Sequence, residues 1–242
     1  MNDQYLNITS KPQFVVTRST KLSRFGVAAG VIIILALATG PFWLGRADMR
    51  LFVEIFYFLA LAQMWNLLAG YGGLVSVGQQ AFVGLGGYLL FILTIHFGVG
   101  AIWSIPLVGI AGAIISLPVA FLVFRLRGHY FAIGTWVLAE LFRIFITNND
   151  YFGGASGLTL ARVLREIPRD FRNDATYWIA LALAASTLVL VYVLLRSRFG
   201  LAIRTVRDNE SSAESVGVNV RGVKFTVFVI ASFITGCAGA VA

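Results

Sequence analysis

Three groups of side chains have types and spacings that suit chemistry in an apolar setting. Ser76, Gln79 and Gln80 stand in a stretch, residues 66–88, that holds seven glycines among 23 residues. Each is a neutral hydrogen-bonding group, able to donate and accept without carrying charge. They suit lining a polar cavity or bonding one helix to another, and the spacing leaves both readings open for Gln79 and Gln80. Glu140 and Arg143 lie three residues apart, which puts opposite charges on one helix face. Structural pairing is the plainer reading, and contact with a solute is the alternative. Arg204, Arg207, Asp208, Asn209 and Glu210 gather charge ahead of two small residues, Ala213 and Gly217. No catalytic constellation stands beside them: a nucleophile with its base, or clustered His and Asp, is missing from the sequence. The two histidines, His96 and His129, have no acid cluster near them, so no metal site is expected. Cys237 is a single thiol in an apolar run and reads as a packing residue.

The elements that must position these groups follow from composition. Of 242 residues 58% are hydrophobic and 12% charged, against about 25% charged in a soluble domain. Water would not tolerate so much apolar surface, whereas lipid would. About 20 apolar residues are needed to cross the hydrocarbon core. Seven runs are of about this length: 25–44, 51–69, 81–98, 102–124, 129–147, 177–195 and 225–242. The expected fold is an all-α polytopic helical bundle of about seven spans, with 1–24 as a basic N-terminal segment and 25–242 as one membrane domain. The run 25–44 also admits a secretory signal, since Ala36-Leu37-Ala38 looks like a cleavage site, but it is long for one. The last run stops at Ala242 without a capping signal, so the natural chain is expected to continue.

The net charge of +8 lies in short segments between apolar runs, which argues against nucleic acid and for membrane lipid. An N-terminus inside places 70–80, 125–128 and 196–224 inside, and 45–50, 99–101 and 148–176 outside. The inside loop 196–224 then carries Arg196, Arg198, Arg204, Arg207, Arg221 and Lys224, and the turn carries Arg125 and Arg127. That distribution satisfies the positive-inside rule, with Arg46 and Arg50 as a mild exception.

The glycines of 66–88 weaken a helix and permit close backbone approach. In a bilayer, broken helices occur where the backbone lines a cavity, because lipid cannot satisfy free N–H and C=O groups. Gly84, Gly86 and Gly87 read more simply as close-packing residues. Within 196–224, Asp208 or Asn209 can cap a helix whose first turn holds Glu210 and whose end falls at Gly217. The spacing predicts a helix over 209–216, too short to stand alone in water. Intramembrane Glu54 and Glu140 should face protein or water, and Glu54 is close enough to a helix end to reach the interface.

Three stretches, in order, resemble the branched-chain amino acid ABC importer permeases. Asn66-Leu67-Leu68-Ala69-Gly70-Tyr71-Gly72-Gly73 through Ser76, Gly78 and Tyr88 is similar to that family's glycine-rich segment. Arg125-Leu126-Arg127-Gly128-His129-Tyr130-Phe131-Ala132-Ile133-Gly134-Thr135 resembles its R-L-R-G-x-Y-F-A-I-x-T signature. Gly200-Leu201-Ala202-Ile203-Arg204-Thr205-Val206-Arg207-Asp208-Asn209-Glu210 resembles its cytoplasmic loop. The match suits the LivM-like member of the permease pair. Gln79 stands where many members carry His, and Trp136 where Leu is usual.

The resemblance implies a multi-pass inner-membrane permease with a cytoplasmic N-terminus. Its partners would be a second, LivH-like permease subunit, two cytoplasmic ATPase subunits and a periplasmic substrate-binding protein. ATP would be used by the partners, with no cofactor on this chain. In agreement, the sequence lacks a G-x-x-x-x-G-K-[ST] phosphate loop, and none of Lys11, Lys21 and Lys224 follows a glycine. The chain itself is expected not to be an enzyme. Ser76, Gln79, Gln80 and Glu140 would belong to the substrate path. Arg204, Arg207, Asp208, Asn209, Glu210, Ala213 and Gly217 would belong to the ATPase-coupling loop 196–224. The loop 148–176, with Leu160, Val163, Leu164, Ile167 and Phe171 as an apolar stripe, suggests a helix on the outer face that caps the bundle or docks the binding protein. Branched-chain amino acids lead as cargo, with other amino acids or urea-like amides as alternatives. A secondary transporter or channel would need coupling acids, for which only Glu54 and Glu140 are candidates.

Overall fold

The computed structural model describes residues 21–126, 128–149 and 169–242. Among the described residues the regular structure is helical throughout. Helix α1 spans Lys21–Ala38 and a 3-10 turn follows at Gly40–Phe42. The apolar stretch Phe25–Phe42 is long enough to cross a membrane. The body from residue 38 onward holds α2 (Arg46–Trp65), a π-helical turn (Asn66–Tyr71), α3 (Gln79–Ile95), α4 (Ala101–Val123), α5 (His129–Thr147), α6 (Arg169–Arg196), α7 (Arg198–Asp208), α8 (Glu210–Ser215) and α9 (Val220–Val241). The predicted helix around 160–167 lies outside the described residues, while Phe171 falls in α6.

Among the described residues, six helical stretches meet the length and hydropathy of a span. The expected seventh, α3, has 17 residues. At about 1.5 Å per residue it reaches roughly 26 Å, a little short of the ~30 Å core. Its shortfall is the glycine-rich break at its N-terminal side.

Helix α9 is the core of the body. It packs against α2, α3, α4 and α6, and most of its apolar length is buried. Its sequence explains why: Ala231, Ser232, Gly236, Ala238, Gly239 and Ala240 keep its surface low, so neighbouring backbones come close. A Cβ on Gly239 would sit 2.0 Å from the Val83 carbonyl oxygen, and one on Gly86 would sit 2.3 Å from that of Gly236. The α3–α9 seam is therefore backbone on backbone. Below it, four rings join α3, α4, α5 and α9: Phe82 meets Phe228 edge-on at 5.9 Å, Phe228 meets Phe124 at 5.7 Å, and Phe124 stacks on Phe131 at 5.8 Å. Each such pair adds about 1 kcal/mol beyond simple contact.

The outward faces of α4 and α5 carry Ile110, Ile114, Phe121, Leu141 and Phe145, all exposed. In lipid those side chains need no further cover.

Candidate functional site

The break between α2 and α3 is ordered by its own backbone. After the π-helical turn, residues 73–77 are non-helical, and burial alternates along the stretch: Gly72, Leu74, Ser76 and Gly78 are buried while Gly73, Val75 and Val77 are exposed. Period-two alternation is what an extended chain must give. Gly73 takes a φ of 67°, which a side chain would resist. Three N–H groups of this stretch find partners, as the bilayer demands of backbone polar groups. Gly72 N–H donates to the Leu67 carbonyl at 3.0 Å and Leu74 N–H to the Leu68 carbonyl at 2.8 Å. Val77 N–H donates to Thr135 Oγ1 of α5 at 3.1 Å. Thr135 is a positioning residue that its place in the signature stretch did not reveal.

The four expected path residues divide into two pairs. Ser76 is 2% exposed, and its hydroxyl has no hydrogen-bonding partner among the described residues. It borders a void of about 10 Å³ with Thr135, Phe82, Phe142 and Phe228, room for no more than a single water. Gln79 turns toward α9, where its Oε1 accepts a 3.1 Å hydrogen bond from Thr235 Oγ1. Its buried Nε2 has no partner among the described residues. Of the two readings open for the glutamines, Gln79 takes the helix-to-helix one. Gln80 points the other way. It borders a groove of about 330 Å³ between α3 and α5, together with Gly84, Tyr88, Glu140, Arg143 and Thr147. Gly84 thereby departs from the close-packing role expected for it: a Cβ there would meet no atom of the described residues within 4 Å. Gly86 takes that role, and Gly87 lies only in ordinary contact range of the Gly239 carbonyl, at 3.5 Å.

Glu140 and Arg143 do pair. Arg143 Nε donates to Glu140 Oε1 at 3.0 Å and to Oε2 at 2.9 Å, and Nη2 donates to Oε1 at 2.5 Å. Their side chains are 47% and 65% exposed in this chain. Among the described residues no three His, Cys, Asp or Glu side chains come together as a metal site would require.

The loop 196–224 contains more structure than its sequence suggested. Ser197 caps α7, its Oγ accepting from Gly200 N–H at 3.3 Å, and Ile203 and Val206 bury one face. This helix was missed because its charged positions mask a short apolar stripe. The predicted second helix forms as α8. Between the two candidate caps, Asn209 serves: its Oδ1 accepts from Ser212 N–H at 3.0 Å. Asp208 instead closes α7 and accepts from Arg207 Nε at 3.0 Å and Nη2 at 2.9 Å. At the far end Gly217 has φ 86°. Val218 N–H reaches the Ala213 carbonyl and Gly217 N–H the Glu214 carbonyl, both at 3.0 Å. This pair of bonds is the Schellman closure, which places glycine in the left-handed conformation. Glu210 meets Lys224 Nζ of α9 at 2.5 Å.

Ala213 faces the chain itself. It is fully buried among Ile203, Val206, Val220 and Val223, because a helix this short needs an apolar anchor. It is therefore unavailable as a contact for a partner; Glu210, Glu214, Ser215 and Val216 form the exposed side.

Two arginines of α7 reach back to the break. Arg207 Nη1 donates to the Gly70 carbonyl at 3.1 Å, and Arg204 lies 6.0 Å from the centre of the Tyr71 ring. A further recess gathers Gly73, Leu74, Gly128, His129, Glu210 and Lys224. The three segments assigned to one side by charge thus meet at one end of the bundle. Arg46, Arg50, Glu54 and Arg172 border a separate recess, which joins two segments assigned to the other side.

Residues 47–242 match the family described as branched-chain amino acid transport system / permease component. The chain is 29% identical to the high-affinity branched-chain amino acid transport system permease protein LivM of Escherichia coli, over 97% of this chain and 61% of that protein. It is 25% identical to the probable branched-chain amino acid transport permease protein LivM of Methanocaldococcus jannaschii, over 78% of this chain and 64% of the relative. It is 27% identical to the nucleoside ABC transporter permease protein NupC of Lactococcus lactis, over 70% and 58%. The chain spans about three-fifths of the length of these curated relatives. No solved structure matches it. With a match that covers most of its length, and with an all-helical body rich in membrane spans, the chain belongs to the branched-chain amino acid transport system permease family.

Proposed function

We propose that this chain is a transmembrane permease subunit of an ATP-driven importer for branched-chain or related amino acids. In this reading it sits in the bacterial inner membrane with its N-terminus inside and forms half of the translocation path with a second permease subunit. Two ATPase subunits engage the α7–α8 loop, and a periplasmic binding protein delivers the cargo. The observation that carries the reading is the family match over residues 47–242, and the coupling path within it rests on the Arg207–Gly70 hydrogen bond. That bond ties a loop helix at the arginine-rich end directly to the broken span that holds Ser76 and Gln79.

The mechanism follows from that tie. A push on the exposed side of α8 passes through Asn209 to α7, since the two helices share that residue as C-cap and N-cap. Arg207 and Arg204 then pull on Gly70 and Tyr71. The π-helical turn and the non-helical 72–78 segment are the softest part of that span, because fewer regular helix bonds hold them. Movement there shifts Ser76, Gln79 and Gln80 without unfolding a whole span. Ala213 anchors α8 from inside, and Gly217 sets the direction in which the chain leaves it.

The test is to isolate the complete complex through a tag on this chain and reconstitute it. ATPase subunits should co-purify, and L-leucine uptake should require ATP and the loaded binding protein. Arg207→Gln removes a charge-assisted bond worth roughly 1.5–3 kcal/mol. It should leave assembly intact while hydrolysis continues and uptake falls at least tenfold. A tag that recovers no ATPase would overturn the reading.

A further inference from the structure

The groove between α3 and α5 carries an observation that the transport reading leaves unused. Glu140 stands seven residues before the last residue of α5, roughly 10 Å along the axis from that end. A charged pair at that depth must face protein or water and not acyl chains. Its surroundings are mixed. Gln80, Tyr88 and Thr147 offer neutral polar groups, while Ala81, Leu85 and Ile146 are apolar. Gly84 leaves space on the α3 wall, where a Cβ would meet no atom of the described residues within 4 Å.

We propose that the Glu140–Arg143 pair is a docking point for a zwitterion, with the apolar side of the groove taking an aliphatic side chain. This rests on the reading of the chain as an amino-acid permease and names the group that would select that cargo inside the membrane.

The geometry supplies the argument. Glu140 engages Arg143 through Nε and Nη2, so one N–H of Nη1 and the second N–H of Nη2 stay available side by side, and such a parallel pair of guanidinium N–H groups binds carboxylate in a fork. The Glu140 carboxylate keeps lone pairs for an ammonium. Standard bond lengths put the two charged groups of an α-amino acid roughly 3 Å apart, which matches the 2.5–3.0 Å separation within the pair. A zwitterion can therefore lie alongside the pair with charges alternating and without opening it. The groove, at about 330 Å³, lies at the lower end of the sizes that hold small ligands. A nucleoside carries neither charge, so the pair offers it nothing beyond what water offers. Arg143 thereby becomes a specificity-determining residue, which gives the solute-contact alternative raised by the sequence a chemical form.

The experiment uses the complete reconstituted complex, its binding protein and ATP, with L-leucine and guanosine as the probes. Glu140→Gln and Arg143→Gln should each lower leucine uptake at least tenfold, with assembly and ATPase stimulation by the loaded binding protein within twofold of wild type. The double variant E140Q/R143Q separates the roles. A merely structural pair is restored to balance when both charges go, whereas a zwitterion site stays lost, so leucine uptake should remain at least tenfold down. Gly84→Leu fills the apolar side without touching the charges and should lower leucine uptake to a similar degree with assembly unchanged. Wild-type leucine uptake by E140Q/R143Q overturns the docking role, as does a parallel loss of assembly in every variant. Guanosine uptake in place of leucine by the wild-type complex would instead overturn the amino-acid reading itself, and the docking role with it.

Discussion

The two sides of α3 present glycine to opposite environments. Toward α9, Gly86 lies under the Gly236 carbonyl and Gly239 under that of Val83, with no room for a methyl group on either. Toward α5, Gly84 opens onto a groove bordered by Gln80, Tyr88 and an ion pair. The same residue type, two positions apart along one helix, is a packing device on one side and a source of empty space on the other. What separates them is the neighbour: α9 supplies a surface of small residues that closes on α3, whereas α5 meets the start of α3 through Thr135 and leaves a groove beyond it.

The comparison breaks most visibly at the closed side. Gly86→Leu drives a side chain into backbone that cannot move aside, and overpacking of this kind costs about 3 kcal/mol or more. The expected outcome is loss of monodisperse protein, read by size exclusion in detergent. Full recovery of a folded protein would show that α3 and α9 separate easily.

An intermediate effect is expected at the loop. Ala213→Trp puts a large ring into a fully buried site, and Gly217→Val forces a branched residue to a φ of 86°. Each should destabilise α8 by about 1–3 kcal/mol. In a thermal-shift measurement the α8 end should loosen, and ATPase stimulation should fall with it. An Ala213→Trp protein of unchanged stability but weakened ATPase binding would return Ala213 to the outer surface.

The smallest effect belongs to the open side. Gly84→Ala should leave the melting temperature unchanged or raise it slightly, because alanine gains up to about 1 kcal/mol over glycine in a helix and meets no neighbour. A clear destabilisation would mean that the groove closes in the folded protein, which sharpens the contrast with Gly86 by the same measurement.

Much of the architecture was legible before any coordinate. Hydropathy located the membrane helices because a bilayer imposes one length on all of them. Clustered glycines marked the break because glycine takes Gly73's positive φ without steric cost. Asn209, Glu210 and Gly217 marked α8 because helix ends are local chemistry, decided within a few residues. The α7 stripe was harder to read, since Ile203 and Val206 are few and are interleaved with arginines.

The facing of individual side chains belongs to tertiary structure alone. Gln79 and Gln80 are adjacent, equal in chemistry, and indistinguishable by composition. On a helix, one residue of register turns them about 100° apart, and only the placement of Thr235, 156 residues away, directs Gln79 to α9 and leaves Gln80 to the groove. Likewise Arg207 finds Gly70 across 137 residues, and Ala213 is buried because it joins the core cluster that holds Ile203 and Val220. The sequence determined which segments span, break and cap, since those depend on near neighbours and on the solvent. Which groups meet depended on long-range packing, and that is where the groove, the tie to the break and the hidden face of α8 were decided.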